Sequence, residues 1–152
     1  MMEVFRISTG KHAKTLSASG KKARWNRDNQ FVLYTGQHRS LSSLELVVHQ
    51  NISSVLKYEV MVIRLAEREK LYTRIPVKDL PGNWRDTAAY PALQDIGTDW
   101  YDHNRSLILQ VPSAIIPQEF NYIININHPD FKKENVDLVH TEAFFWDNRL
   151  IV

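Results

Sequence analysis

Cysteine is absent from the 152-residue sequence, which excludes disulfides and thiolate zinc sites. Such a chain suits a reducing compartment, so the cytoplasm is the expected location. No segment approaches the roughly 18 uninterrupted apolar residues that a bilayer crossing needs. The opening Met1-Met2-Glu3-Val4-Phe5-Arg6 lacks the basic start and apolar run of a secretory signal. Membrane insertion is therefore not expected. Internal repeats, low-complexity tracts and Pro/Gly-rich linkers are also missing, so a single domain is expected over residues 1–152. His12, His38, His49, His103, His128 and His140 show neither HExxH nor another metal spacing, and no metal site is expected. With no GxGxxG and no P-loop, Rossmann and Walker nucleotide sites are excluded. Nor does a nucleophile elbow support a Ser/His/Asp triad.

What is present is an ordinary globular balance, 43% hydrophobic and 24% charged, in a chain long enough to enclose a core. The formal net charge is only +2, yet Lys11, Lys14, Lys21, Lys22, Arg24 and Arg27 gather positive charge early in the chain. Such a cluster attracts phosphates, although a solvated lysine loop is the commoner explanation. Neither a helix-turn-helix nor an RNP-like signature accompanies it, so a nucleic-acid-binding module is the distant alternative.

Strands dominate the patterning. Val4 to Ser8 reads as a short strand before a polar, lysine-rich loop that runs through Lys22. Phe31 to Thr35 is aromatic and β-branched between Asn29 and Gly36, and a helix is expected from about Leu41 to Ile52. Tyr58 to Leu65 is apolar on both faces, which predicts a central strand, with Leu71 to Ile75 pairing beside it. Pro81-Gly82 marks a turn. Pro91 ahead of Leu93, Ile96 and Trp100 predicts a second helix with proline in its first turn. Leu107 to Val111, Tyr122 to Asn127 and Val136 to Trp146 supply further strands. Strands outnumber helices without regular alternation, which indicates an α+β fold with mixed, mostly antiparallel sheets and flanking helices.

The stretch from Arg24 to His49 carries the most chemical information. Ser42-Ser43-Leu44-Glu45 matches a capping box, in which the glutamate only satisfies a backbone donor. A helix starting at Ser40 would instead leave Glu45 free, beside an apolar stripe of Leu41, Leu44, Val48 and Ile52. A carboxylate there requires a partner, which an arginine or a cationic ligand in a cleft would provide. Arg6, on the strand face of Val4, is either a solvated edge residue or a bidentate anion ligand. Tyr34 reads as a core aromatic with its hydroxyl at the rim. Ser113, in Val111-Pro112-Ser113-Ala114, follows a strand end, where a hydroxyl is equally often a turn residue.

Together these pieces resemble the RES domain, named for its arginine, glutamate and serine. The resemblance covers nearly the whole chain: Val4-Phe5-Arg6, Arg24-Trp25-Asn26, Val32-Leu33-Tyr34-Thr35, Ser43-Leu44-Glu45, Gly82-Asn83-Trp84-Arg85, Ile96-Gly97-Thr98-Asp99-Trp100, Val111-Pro112-Ser113-Ala114, Asn127-His128-Pro129 and Trp146-Asp147-Asn148-Arg149-Leu150. Order and spacing, not any one tetrapeptide, make it specific. One departure is Lys22-Ala23, where family members usually carry glycine before the Arg-Trp pair.

The resemblance implies a fold similar to ADP-ribosyltransferase catalytic domains and a toxin that consumes NAD. NAD would be the substrate rather than a bound prosthetic group, with inorganic phosphate or water as acceptor. Transfer of ADP-ribose to a protein is the alternative. The implied partner is a cognate antitoxin with a helix-turn-helix DNA-binding part, with no direct nucleic-acid contact by this chain. Under the same resemblance Glu45 stabilises the ribosyl cation formed as nicotinamide departs. Arg6 and Arg24 hold the pyrophosphate. Tyr34 flanks the nicotinamide ring, Ser113 hydrogen-bonds nicotinamide or ribose, and His128 positions a phosphate acceptor.

Overall fold

A computed structural model of the chain describes residues 1–49 and 56–150. Among them, seven strands form one mixed sheet: β1 (Met2–Thr9), β2 (Val32–Gly36), β3 (Tyr58–Leu65), β4 (Tyr72–Arg74), β5 (Ile108–Pro112), β6 (Phe120–Asn125) and β7 (Val136–Phe144). Two helices flank it, α1 (Arg39–His49) and α2 (Tyr90–Asp102). The strand order is β4-β5-β6-β2-β1-β3-β7, antiparallel except for the β4–β5 pair. The expected α+β class holds, with its strands in one sheet.

The apolar faces of β3 explain its interior position. Met61, Ile63 and Leu65 join Val4, Leu33 and Ile124 in one core layer, while Tyr58, Val60 and Val62 pack with Phe5 and Ile7 on the other side. Both edges of β3 are taken, by β1 along its whole length and by β7. The segment expected beside it, Leu71 to Ile75, lies elsewhere: its strand residues Tyr72–Arg74 pair in parallel with β5 at the opposite edge. That edge was open, and strand propensity does not specify a neighbour.

The sheet is two wings with a narrow joint. β2 pairs with β6 from Val32 to Gly36, and β1 pairs with β3 from Met2 to Thr9. Between the wings, β1 and β2 share one pairing, Phe5 opposite Gly36. Helix α1 rests on this joint, where the Ser42 hydroxyl donates to the Phe5 carbonyl at 2.8 Å. Glycine is required at position 36 for space, since a Cβ there would crowd Ser42 Oγ at 2.7 Å.

Helix α1 begins at Arg39, with the His38 carbonyl accepting from Ser42 N. Glu45 therefore lies in the second turn, and the capping-box reading fails. A basic residue at a helix start opposes the macrodipole, but Arg39 is committed elsewhere. Its guanidinium binds Glu142 of β7 through two contacts of 2.8 and 2.9 Å and lies 4.3 Å over the Phe5 ring. The arginine hydrogen bonds, followed by those of His140, hold the Glu142 carboxyl down to about 2. The expected stripe needs correction as well: Leu41 is buried, but Val48 is exposed. A second face, through Ser42, Glu45, Leu46 and His49, lines a cleft, and Leu46 on it also packs against the Phe5 and Ile7 cluster. The expected extension to Ile52 lies outside the described residues.

Helix α2 has Pro91 in its first turn and buries Leu93, Gly97 and Trp100 against Trp25, Leu109, Val111 and Ile123. Gly97 is the point of closest approach, since a Cβ there would run into the Trp25 carbonyl. Although alanine is the better helix former by about 1 kcal/mol, Gly97→Ala must push the helix off the 23–26 segment. It is expected to destabilise the fold by about 1–3 kcal/mol in urea unfolding. Gly82→Ala, at a position with open space around it, is the control and should leave the midpoint nearly unchanged.

Candidate active site

Where β1 and β2 part, a cleft of about 570 Å³ opens, and Arg6, Arg24, Tyr34 and Glu45 all line it. Lys21, Lys22 and His49 line it too. Arg6 projects from β1, an interior strand, so the solvated-edge reading fails. Its Nη1 donates to the Tyr34 carbonyl at 3.0 Å, spanning the gap that strand pairing leaves unfilled. Burial lowers its pKa. Among the described residues no carboxylate pairs with Arg6 or with Arg24.

Arg24 stands on a compact turn. Ala23 N donates to Asn26 O at 3.1 Å, and the Arg24 guanidinium donates to Trp84 O at 3.0 Å while lying 4.8 Å above the Tyr90 ring. The Gly82–Arg85 segment and the start of α2 thus hold this cation flat against the cleft wall. Among the described residues, left-handed backbone outside glycine occurs at Asn29 and Asn104. Alanine at position 23 is accordingly unstrained, and its carbonyl accepts from Gln94 at 2.8 Å.

The Tyr34 hydroxyl ties that turn to β2. It donates to Asn26 Oδ1 at 2.5 Å and accepts from Trp25 N at 3.1 Å. Burial raises its pKa, so it remains a neutral donor. Asn26 is buried, and its amide nitrogen donates to the carbonyls of Lys21 and Arg27, both at 3.0 Å. The Arg24-Trp25-Asn26 motif by itself assigns this organising asparagine no role. Only its contacts reveal one.

Glu45 reaches across from α1. Its Oε1 accepts from Ser113 Oγ at 3.0 Å, and its Oε2 lies 3.4 Å from His49 Nε2, one turn later on the helix. Ser113 is fully buried, and its oxygen accepts from Ile115 N at 3.0 Å and Ile116 N at 3.1 Å. Ser113 therefore occupies a turn, as its position after a strand end suggested, and its proton is spent on Glu45. His128 is not brought to the cleft. Its Nδ1 accepts from Asp130 N at 3.0 Å, which leaves an Nε2 proton for Asn104 O at 3.1 Å. Among the described residues no group of His, Asp and Glu is arranged to hold a metal.

The class is thus an α+β protein whose sheet is split at one joint, with Glu45, Arg6 and Arg24 lining the cleft that opens there. Comparison with known proteins specifies it further. The family model for the RES domain matches residues 3–147, and the chain belongs to that family. It is 31% identical to "Toxin Res" of Yersinia enterocolitica, over 98% of this chain and 99% of that protein. It is 30% identical to the "Prs ADP-ribosylating toxin" of a Sphingobium species, over 91% of this chain and 88% of that one. In fold it is similar to a chain of the M. tuberculosis MbcT–MbcA toxin–antitoxin complex, with a TM-score of 0.75 at 14% identity, covering 94% of this chain and 84% of that chain.

The three hydrogen bonds of the Ser113 hydroxyl generate a stability prediction. Ser113→Ala strands two backbone N–H groups and loosens Glu45. A loss of about 1–3 kcal/mol is expected, seen as a lower urea midpoint at unchanged slope.

Proposed function

We propose that this protein is the toxin of a toxin–antitoxin pair, acting in the cytoplasm, and that it binds NAD in the cleft and cleaves the nicotinamide–ribose bond. Phosphate or water is the acceptor in this reading. The observation that carries it is a pair of guanidiniums, Arg6 and Arg24, without acidic partners among the described residues and in the same cleft as Glu45. A buried cation is costly without an anion beside it, and a pyrophosphate offers two. Names of relatives support the toxin assignment, and the fold neighbour's complex supports a cognate antitoxin, for which a helix-turn-helix protein is the proposed type.

In the chemical step the bond between the ribose carbon and the nicotinamide nitrogen breaks. Its electron pair stays with the ring, which departs neutral and needs no acid. The sugar becomes an oxocarbenium-like cation, and Glu45 stabilises it by charge and by hydrogen bonds to ribose hydroxyls. Arg6 and Arg24 fix the dinucleotide through its phosphates. The Tyr34 ring flanks the nicotinamide, while its hydroxyl holds the turn carrying Arg24. Ser113 acts as a positioning residue, since its one proton already goes to the carboxylate. His128 has no role here.

A second reading, transfer of ADP-ribose to a protein, is favoured by the name of the Sphingobium relative. Incubation with NAD separates the two. Free nicotinamide with ADP-ribose, or with ADP-ribose 1″-phosphate when phosphate is added, supports the first, and label on a cell protein supports the second. In either case Glu45→Gln, which preserves an acceptor for Ser113, is expected to slow nicotinamide release by about 10²–10³. Arg24→Ala is expected to act mainly on KM, because it contacts a part of NAD that does not react. An Arg24→Ala enzyme with normal binding and no turnover would contradict this assignment.

A further inference from the structure

We propose that His49 is the general base that takes the proton of the incoming acceptor. The inference rests on the reading of the cleft as an NAD-cleaving site. Water forms its bond to the ribose carbon in the same loose step in which the bond to nicotinamide breaks; its oxygen must shed a proton, and the departing ring takes none. Arg6, Lys21, Lys22 and Arg24 line the cleft as donors with no acceptor to offer. Tyr34 donates its proton to Asn26, and Tyr90 lies beneath the Arg24 guanidinium. Among the described residues that line the cleft, Glu45 and His49 remain as titratable acceptors.

The geometry divides the work between them. Glu45 is pinned through Oε1 by Ser113, and its negative charge is needed opposite the sugar. Accepting a proton would cancel that charge at the moment it acts. His49 Nε2 stands 3.4 Å from the other carboxylate oxygen. A proton held on Nε2, the nitrogen nearer Oε2, leaves Nδ1 as the ring's acceptor. The imidazolium formed when Nδ1 takes the water proton is then stabilised by the adjacent carboxylate, as in carboxylate–histidine pairs of hydrolases. About two-fifths of the His49 side chain is exposed, against about a quarter for Glu45, so solvent reaches the base and the proton can leave after turnover. Imidazole suits a base operating near neutral pH.

The test compares nicotinamide release from NAD by the wild type, His49→Gln and His49→Ala in phosphate-free buffer, with and without sodium azide. Azide is an anionic nucleophile with no proton to lose, and its attack yields ADP-ribosyl azide without a base. In water both variants should be slower by about 10²-fold, and azide should bring them to within about tenfold of the wild type. Gln retains a donor for Glu45, so a role limited to steadying the carboxylate predicts a near-normal His49→Gln rate. That rate, or a slow variant that azide fails to rescue, overturns the inference alone. A wild type that releases no nicotinamide overturns the reading of the cleft and this inference with it.

Discussion

The Phe5–Gly36 pairing is the constraint on which the rest of the structure depends. Strands that stayed paired along their length would leave no cleft, and strands that never met would leave no frame. One pairing, capped by the Ser42 hydroxyl on the Phe5 carbonyl, holds the wings together while the backbone beyond it separates. The exposed Tyr34 carbonyl is then satisfied by the Arg6 guanidinium, so the side chain that replaces the missing backbone donor is also the cation at the cleft floor. An unmade sheet bond becomes an anchor for a cationic side chain.

Each wing brings a different part of the chemistry. β1 supplies Arg6, and α1, clamped to β7 by the Arg39–Glu142 pair, supplies Glu45 and His49. The other wing supplies Ser113 at the end of β5 and Tyr34 on β2, with α2 and the Trp84 segment steadying the Arg24 turn. The hydrogen bond from Ser113 to Glu45 crosses from one wing to the other, so the acid is positioned by the half of the sheet that does not carry it.

The balance of charge inside the cleft differs from that of the whole chain. A net +2 over 152 residues says little about any one site, because several surface charges are paired locally, as Arg27 is with Asp95 and Arg105 with Asp99. Arg6 and Arg24 are matched by carbonyls and an aromatic face instead. Neutral partners orient a guanidinium without discharging it, which leaves the charge available to a ligand.

Periodicity by itself determined the strands, both helices and the α+β class, because alternating burial and proline at a helix start are local properties. The order and spacing of short motifs pointed to the family and named Arg6, Arg24, Tyr34 and Glu45 as residues of one site. Tertiary structure alone decided that β4 pairs with β5, that Val48 faces solvent, that Ser113 spends its proton on Glu45, and that His128 lies away from the cleft. It also placed Asn26 under the Tyr34 hydroxyl and His49 beside Glu45. Those outcomes depend on which distant segment fills a given space, and hydrogen-bond partners far apart in the chain leave no mark on either segment's own pattern.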